Sequence, residues 1–290
     1  MTPQFRPRRS CLFMPGSKPR ALEKARSLPA DMLIFDLEDS VAPDSKQEAR
    51  RAVETLLQQG GFGRREAVVR INGLDTAWGE DDLAAAIKAG ASGVLVPKIN
   101  RPADIISLQS AMDSAGAAPD LPLWIMIETP LCVLEIANIA ACAPHTRLAG
   151  FVIGTNDMGK DMLARSTPDR MAFLAALSQT VMAARAHGLV ALDGVYNDYA
   201  NLAGLETECE QGRILGYEGK TLIHPTQIDI ANRVFAPAGA ELEEARAIVA
   251  AFALPENSGK GAISVNGKMV ELLHLAQADR LLALQATIDG

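Results

Sequence analysis

Eight short apolar runs, with amphipathic stretches between them, constrain the fold of this sequence more than any other feature. The runs are Ser10–Met14, Met32–Phe35, Ala67–Ile71, Gly93–Val96, Leu123–Ile127, Gly150–Ile153, Val190–Leu192 and Thr221–Ile223. Helical patterns occupy 44–59, 79–89, 102–115, 131–142, 168–187 and 204–215. A β-branched or aliphatic run followed by a helix-period stretch is the signature of a βα unit, whose strands pair in parallel. Eight such units predict an α/β fold, a closed (β/α)8 TIM barrel, with an open doubly wound sheet as the competing architecture. The barrel is predicted over residues 1–237 and a C-terminal helical extension or lid over 238–290. That extension contains the Gly-, Ser- and Pro-bearing stretch Leu254–Ala262 and a last helical pattern from about Val270 to Ile288.

Composition removes several function classes. No apolar run approaches the ~20 residues of a membrane span, and the opening MTPQFRPRRS lacks a secretory apolar stretch. These features predict a cytoplasmic protein without a membrane partner. The net charge of −7 argues against a nucleic-acid partner, because phosphate contacts need a basic face. Four scattered cysteines, Cys11, Cys132, Cys142 and Cys209, show no metal or redox spacing and read as reduced, mostly buried thiols. One segment runs against the overall charge. Arg6, Arg8, Arg9, Lys18, Arg20, Lys24 and Arg26 face a single acid, Glu23, within the first 26 residues. Such a cluster is either a solvated patch or a landing site for a small polyanion.

The polar residues that follow the apolar runs carry the functional signal. In order they are Pro15-Gly16, Asp36 with Glu38 and Asp39, Arg70 with Asn72, Pro97-Lys98, Glu128, Asn156-Asp157, Asp193 and His224. Barrel enzymes place their chemistry at the C-terminal ends of the strands, so these groups are expected to converge on one mouth. Singly, each has a plain alternative as a helix cap or an ion-pair partner. Glu128 and Asp157 follow consecutive strands, which lie ~4.8 Å apart, so both can reach one ion. Two carboxylates with no histidine at ligand spacing suit Mg2+, with Mn2+ as a substitute, better than zinc. The alternative is that both carboxylates pair with Arg70.

With those residues located, the chain resembles the citrate lyase β-subunit-like family within the HpcH/HpaI aldolase superfamily, which includes citramalyl- and malyl-CoA lyases. The matching stretches are RRSCLFMPGSKPR (8–20), LIFDLEDSVAPDSKQEAR (33–50), VVRINGLDT (68–76), VLVPKI (94–99), IMIETPLCV (125–133), GTNDMG (154–159), ALDGVYND (191–198), GYEGKTLIHPTQI (216–228) and VNGKMVE (265–271). The resemblance implies a homotrimer of barrels with Mg2+ on Glu128 and Asp157, Glu128 also reaching substrate. It implies that Arg70 meets the substrate carboxylate or carbonyl. A CoA thioester would lie along the first βα loop, touching Phe13, Arg20 and Lys24, with Ile223 and His224 near its nucleotide end. Two departures stand out: GTNDMG differs from many relatives in the pair before the Asp, and Glu271 occupies a position usually held by Asp.

These assignments predict a carbon–carbon lyase acting on malyl-, citramalyl- or citryl-CoA, with acetyl-CoA and a 2-oxo acid as the other partners of the reaction. Mg2+ would chelate the acyl carboxylate and hydroxyl, Arg70 would neutralise developing charge, and Glu271 would carry a proton to or from the acetyl carbon. Because Glu271 follows all eight βα units, it is expected to serve a neighbouring subunit's site. Two other readings remain. Lys98, ending a central strand, is where a Schiff-base aldolase would place its nucleophile. Alternatively, the chain is the β subunit of a citrate lyase complex that works on an acyl-carrier-bound substrate.

Overall fold

A computed structural model describes residues 6–290. The eight expected strands are all present: β1 (Ser10–Pro15), β2 (Met32–Asp36), β3 (Glu66–Arg70), β4 (Gly93–Val96), β5 (Leu123–Ile127), β6 (Leu148–Ile153), β7 (Val190–Asp193) and β8 (Gly219–Leu222). They pair in parallel in sequence order, and β8 closes on β1, making the closed barrel of a TIM fold. The intervening helices are α1 (Pro19–Ala25), α2 (Lys46–Gln59), α3 (Gly79–Lys88), α4 (Pro102–Ser114), α5 (Pro130–Ala140), α6 (Thr155–Asp161), α7 (Leu174–Ala186) and α8 (Leu202–Leu215), with α9 (Ile228–Val234) after β8. Among the described residues, no helix is long and apolar enough to cross a membrane.

Alternation along each strand decides which side chains enter the barrel. The interior is filled by Cys11, Met32, Ile34, Val68, Leu95, Trp124, Met126, Val152 and Leu192. Trp124 is the largest fully buried side chain, and glycines make room for it. A Cβ on Gly150 would lie 2.4 Å from its ring, and one on Gly93 would lie 3.2 Å from its Nε1. The β5–β6 register shifts so that Leu123 pairs with Leu148 but Trp124 pairs with Gly150, passing over Ala149. That irregularity puts the glycine opposite the indole. It also explains why β6 begins before the apolar run that marks it in the sequence.

The same alternation corrects two expectations. Asp193 follows the inward Leu192 and therefore faces outward, away from the mouth. There it is fully buried between Arg170 Nη1 (2.6 Å) and Lys220 Nζ (3.0 Å), and Lys220 also donates to Glu208 of α8 at 2.7 Å. The basic N-terminal segment also divides. Arg8 pairs with Glu66 and lies 5.1 Å from the Trp124 ring centre, while Arg9 pairs with Asp31. Both residues precede β1 and so sit at the barrel's N-terminal end, opposite the mouth. Arg26 donates to the Gly60 carbonyl and to Gln59. Lys18, Arg20 and Lys24 remain exposed, on or just before α1.

Contacts divide the chain into a barrel unit, Arg8–Arg233, and a second unit that takes in Val234–Gly290. The second unit contains α10 (Gly239–Phe252), the antiparallel pair β9 (Ala262–Val265) and β10 (Lys268–Glu271), and α11 (Leu272–Asp289). Ala245, Ile248, Ile263, Val270 and Ala278 form its core. The hairpin was not expected, although its signal is in the sequence. Asn266-Gly267 forms a two-residue loop with both φ angles positive, 52° and 77°, as an Asn-Gly hairpin turn requires.

Candidate active site

The mouth is assembled by register and parity together. Asp36 and Arg70 are direct partners across β2 and β3, one residue pair beyond the apolar interior on each strand. Arg70 Nε and Nη2 grip Asp36 Oδ1 and Oδ2 at 2.7 and 2.8 Å. Its Nη1 lies 2.8 Å from Glu38 and 3.7 Å from Asp39, and the guanidinium sits 4.8 Å from the Phe13 ring centre. The bidentate edge of Arg70 is thus occupied by the protein's own carboxylate, and only the Nη1 side turns toward Glu38 and Asp39. Burial opposes the charge on Arg70, but Asp36, Glu38 and Asp39 outweigh it and hold its pKa above the usual value. Burial likewise works against ionised Asp36, and Arg70 overcomes it, keeping that carboxyl below its ordinary range.

A second polar layer holds this arrangement from behind. Asp36 accepts the backbone N–H groups of Glu38 and Ser40. Lys46 Nζ donates to the carbonyls of Leu37 and Glu38 and to Asn72 Oδ1, all within 2.9 Å. Asn72 in turn is tied to Asp82. Asp36, Lys46, Asn72 and Asp82 are thus all hydrogen-bonded, so the loop after β2 is fixed and not merely connected.

Glu128 follows β5 and is 2% exposed. Its Oε1 accepts the backbone N–H of Lys98 at 2.7 Å, and Lys98 takes a left-handed backbone with φ 55°. Burial pushes the Glu128 carboxyl up to about 7; the Lys98 N–H resists that rise, while Glu38 and Asp157 add to it. Asp157 lies in the first turn of α6 and lines the same cavity. A buried carboxylate whose charge is raised in energy by two neighbouring carboxylates is a place where a cation is stabilising. The cavity lining contains no His or Cys, and among the described residues no three metal-type side chains surround one point. The residues therefore fit Mg2+ held by two carboxylates, with oxygen atoms of water and substrate completing its shell.

The cavity above these groups measures about 380 Å³. Phe13, Asp36, Asp39, Ser40, Arg70, Met126, Glu128, Thr155, Asn156, Asp157, Asn197, Thr221 and Ile223 contribute to its wall. Of the residues expected to meet substrate, Phe13, Arg70, Glu128 and Ile223 are thus brought together with Asp157. Arg20 and Lys24 stand one turn apart on α1 and are not part of this wall. His224 is held by stacking on Tyr199, ring centres 4.8 Å apart, and by Thr226 Oγ1 at 2.8 Å from Nδ1. Glu271 ends β10 in the C-terminal unit, where its N–H is accepted by His274 Nδ1 at 3.0 Å. Ser40, Thr155, Asn197 and Tyr199 were not singled out by the sequence, because serine, threonine, asparagine and tyrosine in loops are too common to signal a site.

Lys98 is not placed as a Schiff-base lysine would be. Its Nζ lies 2.7 Å from Glu38 Oε1, and although partial burial lowers its pKa, Glu38 and Asp39 raise it overall. An amine must lose its proton to attack a carbonyl, and this one is held protonated. The cysteines are also unsuited to nucleophilic work. None is paired, and burial raises the thiol pKa of all four, to about 12 for Cys132 and Cys209.

A family model for HpcH/HpaI aldolase/citrate lyase matches residues 9–225, which span all eight strands. The chain belongs to the HpcH/HpaI aldolase/citrate lyase family. A relative from Cereibacter sphaeroides strain KD131, (3S)-malyl-CoA thioesterase, is 50% identical over 283 residues, covering 98% of this chain and 96% of that protein. Citrate lyase subunit beta of Escherichia coli K12 is 36% identical over 290 residues, covering 98% and 95%. Among solved structures, protein CitE from Mycobacterium tuberculosis in complex with magnesium, acetoacetate and coenzyme A superposes with a TM-score of 0.76. That match is 29% identical and covers 95% of this chain and 97% of that one. Membership in the HpcH/HpaI family and the observed barrel agree with the expectations drawn from the nine motif blocks.

Proposed function

We propose that this protein is a Mg2+-dependent enzyme for a short 3-hydroxyacyl-CoA thioester of the malyl-CoA type, and that it hydrolyses the thioester bond. The observation that carries the metal-dependent part is the pairing of buried Glu128 with half-buried Asp157 beside Arg70 in one cavity. The choice of bond rests on the 50% identity to (3S)-malyl-CoA thioesterase over almost the whole chain, against 36% to citrate lyase subunit beta. Motif reading does not suggest hydrolysis, since hydrolysis and carbon–carbon cleavage begin from the same bound thioester.

When bound, Mg2+ supplies Lewis-acid charge to the oxygen atoms of the acyl group. Glu128 and Asp157 hold it and thereby orient the acyl chain. The Nη1 side of Arg70 offers positive charge to an oxygen that becomes anionic, and its position is preset by Asp36. Asp39, exposed at the cavity wall and neither in a bidentate pair nor a metal ligand, accepts the proton of the attacking water. Water oxygen bonds to the thioester carbon, the C–S bond breaks, and its electron pair leaves on sulfur, giving malate and free CoA.

The second reading is carbon–carbon cleavage, favoured by the 36% relative and by the family to which the chain belongs. There the hydroxyl proton is removed, the C2–C3 bond breaks, and its pair forms the acetyl thioester enolate, which Glu271 of a neighbouring subunit protonates at carbon. In either reading Arg20 and Lys24 attract the CoA phosphates. Their replacement by Ala raises KM for the CoA thioester, less so for a dephospho-CoA substrate. The purified protein with Mg2+ and malyl-CoA decides between the readings. Free thiol without glyoxylate supports hydrolysis, and glyoxylate with acetyl-CoA supports cleavage. Loss of activity in EDTA with recovery on Mg2+ is required by both. In the cleavage reading, co-refolding inactive Glu271→Gln and Asp157→Asn chains restores part of the activity.

A further inference from the structure

Behind the catalytic cavity lies a second cavity of about 570 Å³, bounded by α6, the segment 164–173 and the start of α8. The two cavities share four wall residues, Thr155, Asn156, Val195 and Asn197. Across that shared wall Asn197 Nδ2 donates to Asn156 Oδ1 at 2.7 Å, and Asn156 Nδ2 donates back to Asn197 Oδ1 at 3.3 Å. This amide pair bridges the first turn of α6 to the loop after β7. Asn156 immediately precedes Asp157, and both amide residues line the catalytic cavity together with Glu128 and Asp157. Asn156 is also part of the GTNDMG block, whose departure from many relatives the proposed chemistry leaves without a role.

We infer that the Asn156–Asn197 amide pair is a specificity-determining wall: it confines the acyl group to the smaller cavity and so excludes a substituent as large as carboxymethyl. This rests on the proposed Mg2+-dependent site for 3-hydroxyacyl thioesters and deepens it. Malyl and citryl groups differ by one carboxymethyl group, a difference that only the shape of the wall can read. The space beyond the wall is suited to a polar extension, being lined by Lys160, Ser166, Thr167, Asn201 and Thr207. The charged residues of this lining are Lys160, Arg170, Asp198 and Glu208; Arg170 and Glu208 are engaged by Asp193 and Lys220, so exposed Lys160, with Asp198 opposing it, is the cation a carboxylate would meet.

The test compares wild-type protein with Asn197→Ala and Asn156→Ala, at buffered free Mg2+. The first readout is the ratio of kcat/KM for citryl-CoA to that for malyl-CoA. The second is the ratio of calorimetric Kd values for free citrate and free malate. Opening the wall raises the preference for the larger acid by about tenfold or more in both readouts, the scale on which one added group in a shaped pocket is discriminated. Adding Lys160→Ala to Asn197→Ala removes the gain for citrate but not for citramalate, which adds only a methyl group. Wild-type protein that binds malate, with ratios unmoved in both variants, overturns the wall and leaves the proposed function standing. Wild-type protein that binds neither acid and turns over no thioester overturns both.

Discussion

Gly154→Ala isolates the geometry of Glu128, the proposed metal ligand, from everything else in the site. Gly154 has φ −115° and ψ 87°, so an L-residue suffers no left-handed backbone penalty there. Its requirement for glycine is steric. A Cβ would lie 2.7 Å from Glu128 Cβ, 2.9 Å from Glu128 Oε2 and 3.1 Å from Met126 Cε. Carbon–carbon contacts settle at about 3.5–4.0 Å, so Glu128 must retreat by about an ångström or the strand ends must part. Overpacking of this kind costs about 1–3 kcal/mol. At about 2–4 °C of Tm per kcal/mol for a protein approaching this size, the variant remains folded at room temperature. The larger effect falls on the metal. Displacing a ligand carboxylate by this much weakens Mg2+ affinity by about 10–100-fold, as loss of an orienting contact does. The assay is calorimetric Mg2+ titration of the apo protein, with Tm measured in parallel. Gly239→Ala, where a Cβ meets nothing within 4 Å, is the control and leaves both unchanged. A Gly154→Ala protein with parental Mg2+ affinity refutes the assignment of Glu128 as a metal ligand.

The remaining predictions concern the groups around that carboxylate. Arg70→Lys lowers kcat/KM by about a hundredfold or more and destabilises the protein, because an ammonium cannot hold both oxygen atoms of Asp36; a mild kinetic effect would make Arg70 structural only. Lys98→Asn retains Mg2+ binding better than Lys98→Val does, since Asn tolerates the left-handed backbone that presents the N–H to Glu128 and a β-branched residue does not. Borohydride in the presence of substrate traps no adduct at Lys98, and an adduct there would reinstate the Schiff-base reading. Asp193 gives an acid limb to stability. Burial raises its pKa, but Lys220 and Arg170 lower it further, and the folded value lies below the usual one. Its contribution is therefore full above the unfolded value of about 3.9 and is lost as pH falls through the folded value. Tm measured from pH 7 to pH 3 drops steeply below about pH 4, and less steeply in Asp193→Asn, which starts from a lower baseline because Lys220 is left buried with less compensation.

The order of elements was legible because each strand is an apolar run with a helix-period stretch after it, and burial on both faces of a parallel barrel requires such runs. Glu128 and Asp157 were legible for the same reason, as acids placed just past two of those runs. Asn266-Gly267 could also have been read as a hairpin, since few other dipeptides take two positive φ angles at low cost. Short helices such as α1 and α6 carry too few turns to show a period.

What the sequence determined by itself was the succession of local structures and the polar residues at their ends. Only the tertiary structure decided which of those residues share a space. Asp193 and Glu128 look equivalent as acids at strand ends, yet alternation turns one outward to Lys220 and Arg170 and the other inward to the cavity. Arg8 and Arg20 belong to one basic stretch, yet β1 runs between them and sends them to opposite ends of the barrel. The left-handed turn at Lys98, the grip of Asp36 on Arg70 and the amide pair of Asn156 with Asn197 all join separate βα units. Their geometry depends on the closure of the barrel, which brings together residues that no local pattern relates.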